Sequence, residues 1–442
     1  MTNPGVALPN DGLLEQDFYG HRLAAVNATN PVIANENILN SQGVLLVAKG
    51  SELSQAKAEV IARHRLIKPL EHSVDVSKSL DANGLYQILE NYTASLPGLK
   101  NALDNEEIWN KIKILCSYYE RFSLVRQKLT VLSSQLPDIY NDSLYSALAG
   151  TAIAMQLQLS EESIKAIFIA GLMHNSGYLN LNPELEYDEN SNENNITREV
   201  QAHPIIAKHF LDQIPGLTKT AGTAVAEHHE RTDGTGYPKS KFGSDLCIEG
   251  QIVGMTDRII NSYKRCLDYG EHAHQLILLI LQLNDNVHFE EVYKAAALLV
   301  RKGPMPTNPP QQPPNPKLVL VQEERILVKF DASKKLAFVL MKSTRNRFTK
   351  SIASMIGRLA NSIVSSGMMQ EEYKAWLKGL IEQDNPEEHL NLVKCHVMMG
   401  EIELQMDKLQ VIMWRSIEKI SDAETSLKED CILSYKHIES LG

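Results

Sequence analysis

The chain lacks paired cysteines, long apolar runs and an excess of positive charge, and each shortage excludes a class of protein. Its five cysteines are scattered, odd in number and never spaced as C-x-x-C, which argues against a disulfide framework or structural zinc motif and favours a reducing cytosol. The most apolar runs, Ala166–Met173 and Leu276–Leu283, are about eight residues each, whereas a membrane span needs about 20. The segment from Met1 to Phe18 has no apolar core and does not resemble a signal peptide. We therefore expect a cytoplasmic protein without a membrane span.

Acidic side chains outnumber basic ones, 54 to 44, and give a formal net charge of -10. A protein that binds a nucleic-acid polymer needs a basic surface to neutralise the phosphates, so we expect no such partner. A small anionic nucleotide is compatible with this charge, because it needs only a few local donors. The apolar content of 43% and the charged content of 22% are ordinary for a globular protein, and 442 residues suffice for two to four domains.

A proline-rich stretch gives the clearest domain boundary. Gly303–Pro316 contains seven prolines, a density that excludes helix or sheet interior and favours an extended spacer. The predicted division has four parts: a small α+β module at 1–100, a helical domain at 101–302 with its core at 136–302, the spacer at 303–316, and a C-terminal region at 317–442.

The predicted fold class is mainly α, with short strands in the two flanking regions. Near the N-terminus, Gly43–Gly50 is typical of a buried strand and Ser54–Arg63 of a short helix. The core of the helical domain shows apolar residues at helical spacing. In the C-terminal region we predict a short β-hairpin or meander followed by helices. Its three strands are placed at Lys317–Val321, Ile326–Phe330 and Leu336–Leu340.

Four histidines and an aspartate lie on or beside different predicted apolar helices. Neutral imidazoles and a carboxylate, each from a separate helix, are what a divalent metal site inside a helical bundle requires. A lone histidine on an apolar helix is more often a satisfied core residue, so the argument depends on the group. The candidate ligands are His174, His203, His228, His229 and Asp257.

The segment from His228 to Pro238, with its two histidines and its Asp-Gly-Thr-Gly-Tyr-Pro run, resembles the signature of bacterial HD-GYP domains. These domains are the helical branch of the HD superfamily that hydrolyses cyclic di-GMP. The resemblance extends over about residues 142–300 and includes the His203-Pro204 pair. It implies that the five candidate residues bind iron or manganese, as two or three ions. It also implies a loop at the substrate made by Asp233, Gly234, Gly236, Tyr237 and Pro238. Without the histidines, this glycine-rich run would be an ordinary turn.

The sequence departs from the family pattern in the other half of the site. Asn175 stands where the family has the aspartate of its His-Asp pair, and Tyr178 where it has a lysine. Asp142 takes the place of an early histidine, so Asp142 and Asn175 are further candidate ligands. An asparagine offers one neutral carbonyl oxygen and bridges two cations poorly. We therefore expect fewer ions than in active members, or none, and assign no catalytic residue.

Three functional hypotheses follow. The first is a degenerate HD-GYP protein of cyclic di-GMP signalling, a nucleotide sensor or protein-interaction module with weak or no hydrolysis. Its C-terminal helical domain would contact a protein partner. The alternative is a metal-dependent phosphodiesterase that converts cyclic di-GMP, or another cyclic dinucleotide, to pGpG or GMP. The third is a scaffold without ligand. The oligomeric state is open, with a homodimer among the options.

Overall fold

The computed structural model describes residues 17–184 and 199–441, apart from 305, 307, 344–345, 347 and 422–423. The fold is mainly helical, as predicted. The strands are β1 (Val32–Ala34), β2 (Ile38–Leu39), β3 (Leu45–Val47) and β4 (Val74–Val76). The helices are α1 (Tyr19–Asn27), α2 (Gln55–Ala62), α3 (Ala82–Ser95), α4 (Pro97–Ala102), α5 (Glu106–Glu120), α6 (Ser123–Gln135), α7 (Pro137–Gln156), α8 (Glu161–Met173), α9 (His203–Asp212), α10 (Lys219–Glu227), α11 (Ile248–Arg265), α12 (Ala273–Gln282), α13 (Glu290–Arg301), α14 (Pro316–Ser343), α15 (Phe348–Ser365), α16 (Glu371–Glu382), α17 (His389–Ile417) and α18 (Thr425–Glu439). Among these helices, none has both the length and the hydropathy that a membrane crossing needs.

The four short strands all lie near the N-terminus, where they form two antiparallel pairs. Strand β1 pairs with β4, and β2 with β3. The strand predicted within Gly43–Gly50 is present as β3, and the helix predicted at Ser54–Arg63 is α2. The prediction that this strand is buried was wrong: Leu45 is 51% exposed, and in β3 only Val47 is buried. Leu45 and Val47 are two residues apart and lie on the same face of the strand, so burial increases along β3 and does not alternate between its faces.

The N-terminal module and the helical region share one apolar core. Its buried residues run from Tyr19 in α1 to Val300 in α13 without a division near residue 100. Helix α1 packs on α6, which in turn contacts α7. The module is therefore seated on the helical bundle.

Helices α7, α8, α10 and α11 form the centre of the bundle, and α9 packs on α10. Helix α7 approaches α8 very closely at Gly171, where a Cβ atom would lie 2.6 Å from the backbone nitrogen of Ala147. Only glycine permits this approach. It fixes the end of α8, and with it the position of His174.

The C-terminal prediction of three strands was wrong. One 28-residue helix, α14, occupies the whole segment. Pro316 stands at its first position, where a missing N–H costs nothing. The buried apolar residues of the segment recur at the spacing of a helix, not at every second residue as in a strand. The apolar runs are too short to show this difference in the sequence. The buried ones include Val319, Ile326, Leu336 and Leu340.

A second apolar core lies between α14, α15 and α17, with α16 and α18 packed on α14. Helix α17 also packs on α12 of the first bundle. A small cluster containing Leu276, Ile280 and Val393 fills this contact. The C-terminal helices are thus in contact with the helical domain, beyond the proline-rich spacer.

Candidate metal centre

The structure brings the five predicted ligands together at the ends of three helices and the middle of a fourth. His174 follows α8, His203 begins α9, and His228 and His229 follow α10. Asp257 lies on α11. His174, His203 and His228 are fully buried, and Asp257 is 2% exposed. Apolar helices therefore carry the polar side chains into the interior, as the sequence predicted.

Three of the histidines are oriented in the same way. The Nδ1 atom of each lies within hydrogen-bond distance of the backbone carbonyl three residues earlier, at 2.9 Å for His174, 2.7 Å for His203 and 2.6 Å for His228. A carbonyl only accepts, so Nδ1 carries the proton and donates it. The Nε2 lone pair of each ring is then free for a cation, the arrangement in which a partner on one nitrogen orients the other toward metal.

The remaining ring nitrogens converge on Asp257 and on one another. The Nε2 atoms of His203 and His228 are 3.4 Å apart. His174 Nε2 lies 3.5 Å from Asp257 Oδ1, and His229 Nδ1 lies 4.0 Å from Asp257 Oδ2. One ligand atom from each of His203, His228 and His229 falls within 4.8 Å of the others. Two Nε2 lone pairs facing each other repel, and a cation between them would remove that repulsion.

These residues fit a divalent ion. Within the described part of the chain, His174 Nε2, His229 Nε2 and both polar atoms of Asn175 are buried without a hydrogen-bond partner. An unsatisfied buried polar group costs about 1–3 kcal/mol. A set of imidazole nitrogens with a carboxylate suits first-row metals, iron and manganese among them.

Burial keeps the ligands in the protonation states that metal binding needs. It lowers the pKa of His203 to about 3 and the pKa values of His228 and His229 well below their usual range. These rings are therefore neutral at pH 7. Burial acts to raise the pKa of Asp257, but the interaction with His174, whose Nε2 lies 3.5 Å from Oδ1, outweighs it and the pKa is lowered. Asp257 is accordingly a carboxylate.

Two of the three departures from the family pattern, Asn175 and Tyr178, lie beside the candidate ligands. Asn175 is fully buried beside His174. Tyr178 is 1% exposed and stacks on His203, with ring centroids 4.2 Å apart and planes inclined by 20°. At the position where the resemblance implies a lysine, this chain thus has Tyr178, whose ring stacks on the ring of the candidate ligand His203.

A lysine pairs with the candidate ligand Asp142, and sequence reasoning gave this lysine no role. Lys264 Nζ lies 2.6 Å from Asp142 Oδ2. Burial raises the pKa of Asp142 to about 6, although Lys264 acts to lower it. Lys264 follows Asp257 on α11 by seven residues, two helical turns, so both face the same side. That spacing was the available signal.

The glycine-rich loop folds back on the histidine pair. Tyr237 stacks on His229, with centroids 4.5 Å apart and an interplanar angle of 22°. A Cβ atom on Gly236 would lie 2.3 Å from the carbonyl oxygen of His229, so no larger residue fits there. The Glu230 carboxylate accepts hydrogen bonds from the backbone N–H groups of Lys239 and Lys241, at 2.6 and 2.9 Å. The loop is therefore tied to the centre at both ends.

Asp233 begins this loop and divides its two carboxylate oxygens. Oδ1 accepts hydrogen bonds from the backbone N–H and hydroxyl of Thr235, at 3.1 and 2.5 Å, which makes a local turn around Gly234. Gly234 has a φ of 73°. Oδ2 lies 2.7 Å from Arg358 Nη1, on helix α15 of the C-terminal region.

The comparisons with known proteins agree with this geometry. A family model described as an HD domain matches residues 112–264, which contain all five candidate ligands. The chain is 28% identical over 105 residues to a 3'3'-cGAMP-specific phosphodiesterase 1 of Vibrio cholerae serotype O1, and 29% identical over 106 residues to the cyclic di-GMP phosphodiesterase response regulator RpfG of Xanthomonas campestris pv. campestris. The chain carries an HD-GYP domain.

The alignments of this HD-GYP protein with its relatives are partial. They cover 24% of this chain in both cases, and 24% and 28% of the two relatives, so the chain spans about a quarter of the curated proteins it matches. A solved structure, Bd1817, an HDG"Y"P protein from Bdellovibrio bacteriovorus, aligns over 62% of this chain and 94% of its own, at 13% identity and a TM-score of 0.30.

Proposed function

We propose that this HD-GYP domain binds a cyclic dinucleotide such as cyclic di-GMP at its metal centre, and that it senses the nucleotide with weak or no hydrolysis. The observation that carries this proposal is Asn175, buried next to His174 with both polar atoms of its amide unpaired. The family's aspartate would offer two anionic oxygens at this position, whereas the amide offers one neutral oxygen. Asn175 would therefore hold a second metal ion less well than an aspartate would.

The pairing of Lys264 with Asp142 supports the same conclusion. A lysine ammonium 2.6 Å from a buried carboxylate neutralises the negative charge that would otherwise hold a cation. The ammonium can also contact a phosphate of the nucleotide, replacing the cation that Tyr178 does not supply. We propose a centre with a single ion held by His203, His228, His229 and Asp257, with His174 beside them.

The ion would be iron or manganese by resemblance. When bound, such a metal supplies positive charge for a phosphate oxygen and lowers the pKa of water. The residues of the chain orient the site: three carbonyls fix the rings of His174, His203 and His228, and Tyr178 and Tyr237 stack on His203 and His229. The relatives are named for 3'3'-cGAMP and cyclic di-GMP, which supports a cyclic dinucleotide as ligand.

The alternative is a working phosphodiesterase that releases pGpG or GMP. The complete set of four histidines and Asp257 in ligand geometry favours it. Metal content, calorimetric binding and turnover of cyclic di-GMP, measured on one metal-replete sample of the full chain, distinguish the two. One ion per chain with nucleotide binding and little turnover is expected. Two ions with metal-limited turnover would establish the enzyme, and neither metal nor nucleotide binding would leave a scaffold.

Restoring the missing carboxylate is a sharper test. We expect Asn175→Asp to add metal and to raise cyclic di-GMP hydrolysis by at least about tenfold, because loss of even a residue that only supports a metal ligand commonly costs about 10–100-fold. The double variant Asn175→Asp with Tyr178→Lys should raise hydrolysis above that of Asn175→Asp only if the site tolerates the loss of the Tyr178 ring that stacks on His203. Asn101→Asp, on the exposed surface of α4, makes the same charge change away from the site and should alter nothing. Unchanged metal content in Asn175→Asp would contradict the proposal.

The C-terminal helices are the proposed contact for a protein partner. Helix α14 exposes a stripe of large apolar residues: Leu318, Val321, Val328 and Val339 are 67%, 61%, 54% and 39% exposed. Their spacing places them on one side of the helix. An apolar stripe of this kind is typical of a helix that packs against another protein.

A further inference from the structure

The loop at the metal centre is joined to the C-terminal helices by a buried ion pair. Arg358 Nη1 lies 2.7 Å from Asp233 Oδ2, and both side chains are only 7% exposed. The hydroxyl of Ser351 donates to the backbone carbonyl of Asp233 at 3.2 Å, and that of Ser354 lies 3.5 Å from Oδ2. Ser351, Ser354 and Arg358 are spaced by three and four residues on α15, so one face of that helix meets one residue of the loop.

A second hydrogen bond, to Gln405, holds the guanidinium of Arg358 on the side away from Asp233. Its Nε donates to Gln405 Oε1 at 3.2 Å. Gln405 in turn donates through Nε2 to the carbonyl of Leu283 at 3.3 Å and to Asn284 Oδ1 at 3.2 Å. The guanidinium is therefore held by α17, which itself is attached to the helical domain. A planar guanidinium held at both ends sets the position of its carboxylate partner more strictly than a flexible ammonium would.

A second buried contact joins α17 to the ligand-bearing helix α11. Glu401 accepts hydrogen bonds from Arg258 at 2.8 Å and from Arg265 at 2.9 Å. Arg258 follows the ligand Asp257 directly in the sequence. The C-terminal helices thus contact the loop through the positive charge of Arg358. They contact helix α11 through the negative charge of Glu401. Both sides of the metal centre are in contact with the same C-terminal unit.

We propose that Arg358 is a positioning residue: through Asp233 it holds the loop 233–238 against His229, and it thereby couples nucleotide occupancy of the centre to the docking of the C-terminal helices. The coupling to nucleotide rests on the proposed function. Tyr237 and the hydrogen bonds to Glu230 hold the loop to the helical domain, and the ion pair adds a contact at Asp233 that comes from the C-terminal helices. By thermodynamic reciprocity, a ligand that reorders the loop changes the docking of α15 to the same extent.

The test uses the full chain with Arg358→Gln, Asp233→Asn and the double variant. Either single change should raise amide hydrogen exchange in residues 232–238 and lower the affinity for cyclic di-GMP, each by about tenfold, within the range usual for coupled sites. The double variant should cost less than the sum of the two, because each single change leaves a buried charge unpaired. Arg358→Lys should restore the charge and part of the affinity.

Lys329→Met is the matched control. Lys329 Nζ lies 2.9 Å from Asp407 Oδ1, an ion pair of similar burial between α14 and α17, without contact to the loop. Lys329→Met should lower the free energy of unfolding without a selective change in the amide hydrogen exchange of residues 232–238. Equal exchange in the loop for Lys329→Met and Arg358→Gln, or no change in Arg358→Gln, would overturn the positioning role.

The exchange measurement also separates this inference from the proposed function. It is made without nucleotide, so it reports on the loop even if the wild-type chain binds none. Failure of wild-type binding would count against the proposed function and would remove the coupling to nucleotide, while raised exchange restricted to the loop would still establish Arg358 as the residue that positions it.

Discussion

His228→Ala is expected to lower the metal affinity of the centre by more than about 100-fold. Loss of a residue that only supports a metal ligand commonly costs 10–100-fold, and His228 is itself a proposed ligand. Its Nε2 lies 3.4 Å from that of His203, and its ring centroid lies 5.0 Å from that of His174. His228 is fully buried. Metal content after dialysis against a weak chelator, and competition with a chelator of known affinity, measure the loss.

His288→Ala is the control for this prediction. His288 is 4% exposed, so the substitution removes a buried ring of the same size, but it is not one of the proposed ligands. It should leave the metal content unchanged. If both variants lose metal equally, the loss reports general unfolding. If His228→Ala retains the wild-type ion count while it remains folded, the ligand set is wrong.

Glu401→Ala is expected to lower the free energy of unfolding by about 3–5 kcal/mol, the usual cost of removing one partner from a buried ion pair. Glu401 is 2% exposed and lies between Arg258 and Arg265, with Asn284 Nδ2 donating to it at 2.8 Å. Its removal leaves two arginines without their anion in the contact between α11 and α17. Urea unfolding of the full chain at neutral pH measures the change, and Glu290→Ala, an exposed ion-pair residue, should leave the midpoint unchanged.

The same pair predicts a pH dependence. Burial acts to raise the pKa of Glu401, but the charges of Arg258 and Arg265 outweigh it and lower the pKa to about 2. The folded pKa thus lies below the unfolded value of 4.5, so the pair stabilises the fold fully above pH 4.5 and progressively less as the pH falls toward 2. The difference in stability between wild type and Glu401→Ala should therefore shrink over this window. A constant difference down to pH 3 would contradict it.

Sequence reasoning could pick out three of the candidate ligands because each of them has a local mark. His203 precedes a proline at a helix start, and His228 and His229 precede a glycine-rich turn, so their neighbours reveal them. The strand prediction at 317–340 failed because short apolar runs do not distinguish a strand from one face of a buried helix. The helix is decided by its packing on α15 and α17, which lie far along the chain.

The partners in the ion pairs could not be predicted from sequence. Arg358 and Asp233 are 125 residues apart, and neither has a neighbour that marks it for the other. Lys264 lies in a basic stretch that is ordinary for the end of a helix, and only the packing of α11 on α7 brings it to Asp142. Contacts of this kind depend on how helices are placed, which no local pattern records.

The orientation of the histidines has a consequence for folding. The carbonyls of Gly171 and Val225 belong to the last turns of α8 and α10, where helices leave their acceptors without internal partners. The histidines that complete the centre therefore also cap the helices that carry them. Unwinding of either terminal turn releases a ligand ring, and a bound ion in return resists that unwinding. A bound metal ion would then stabilise the C-terminal turns of α8 and α10. Removal of the ion by a chelator should therefore increase local unfolding at these two turns first.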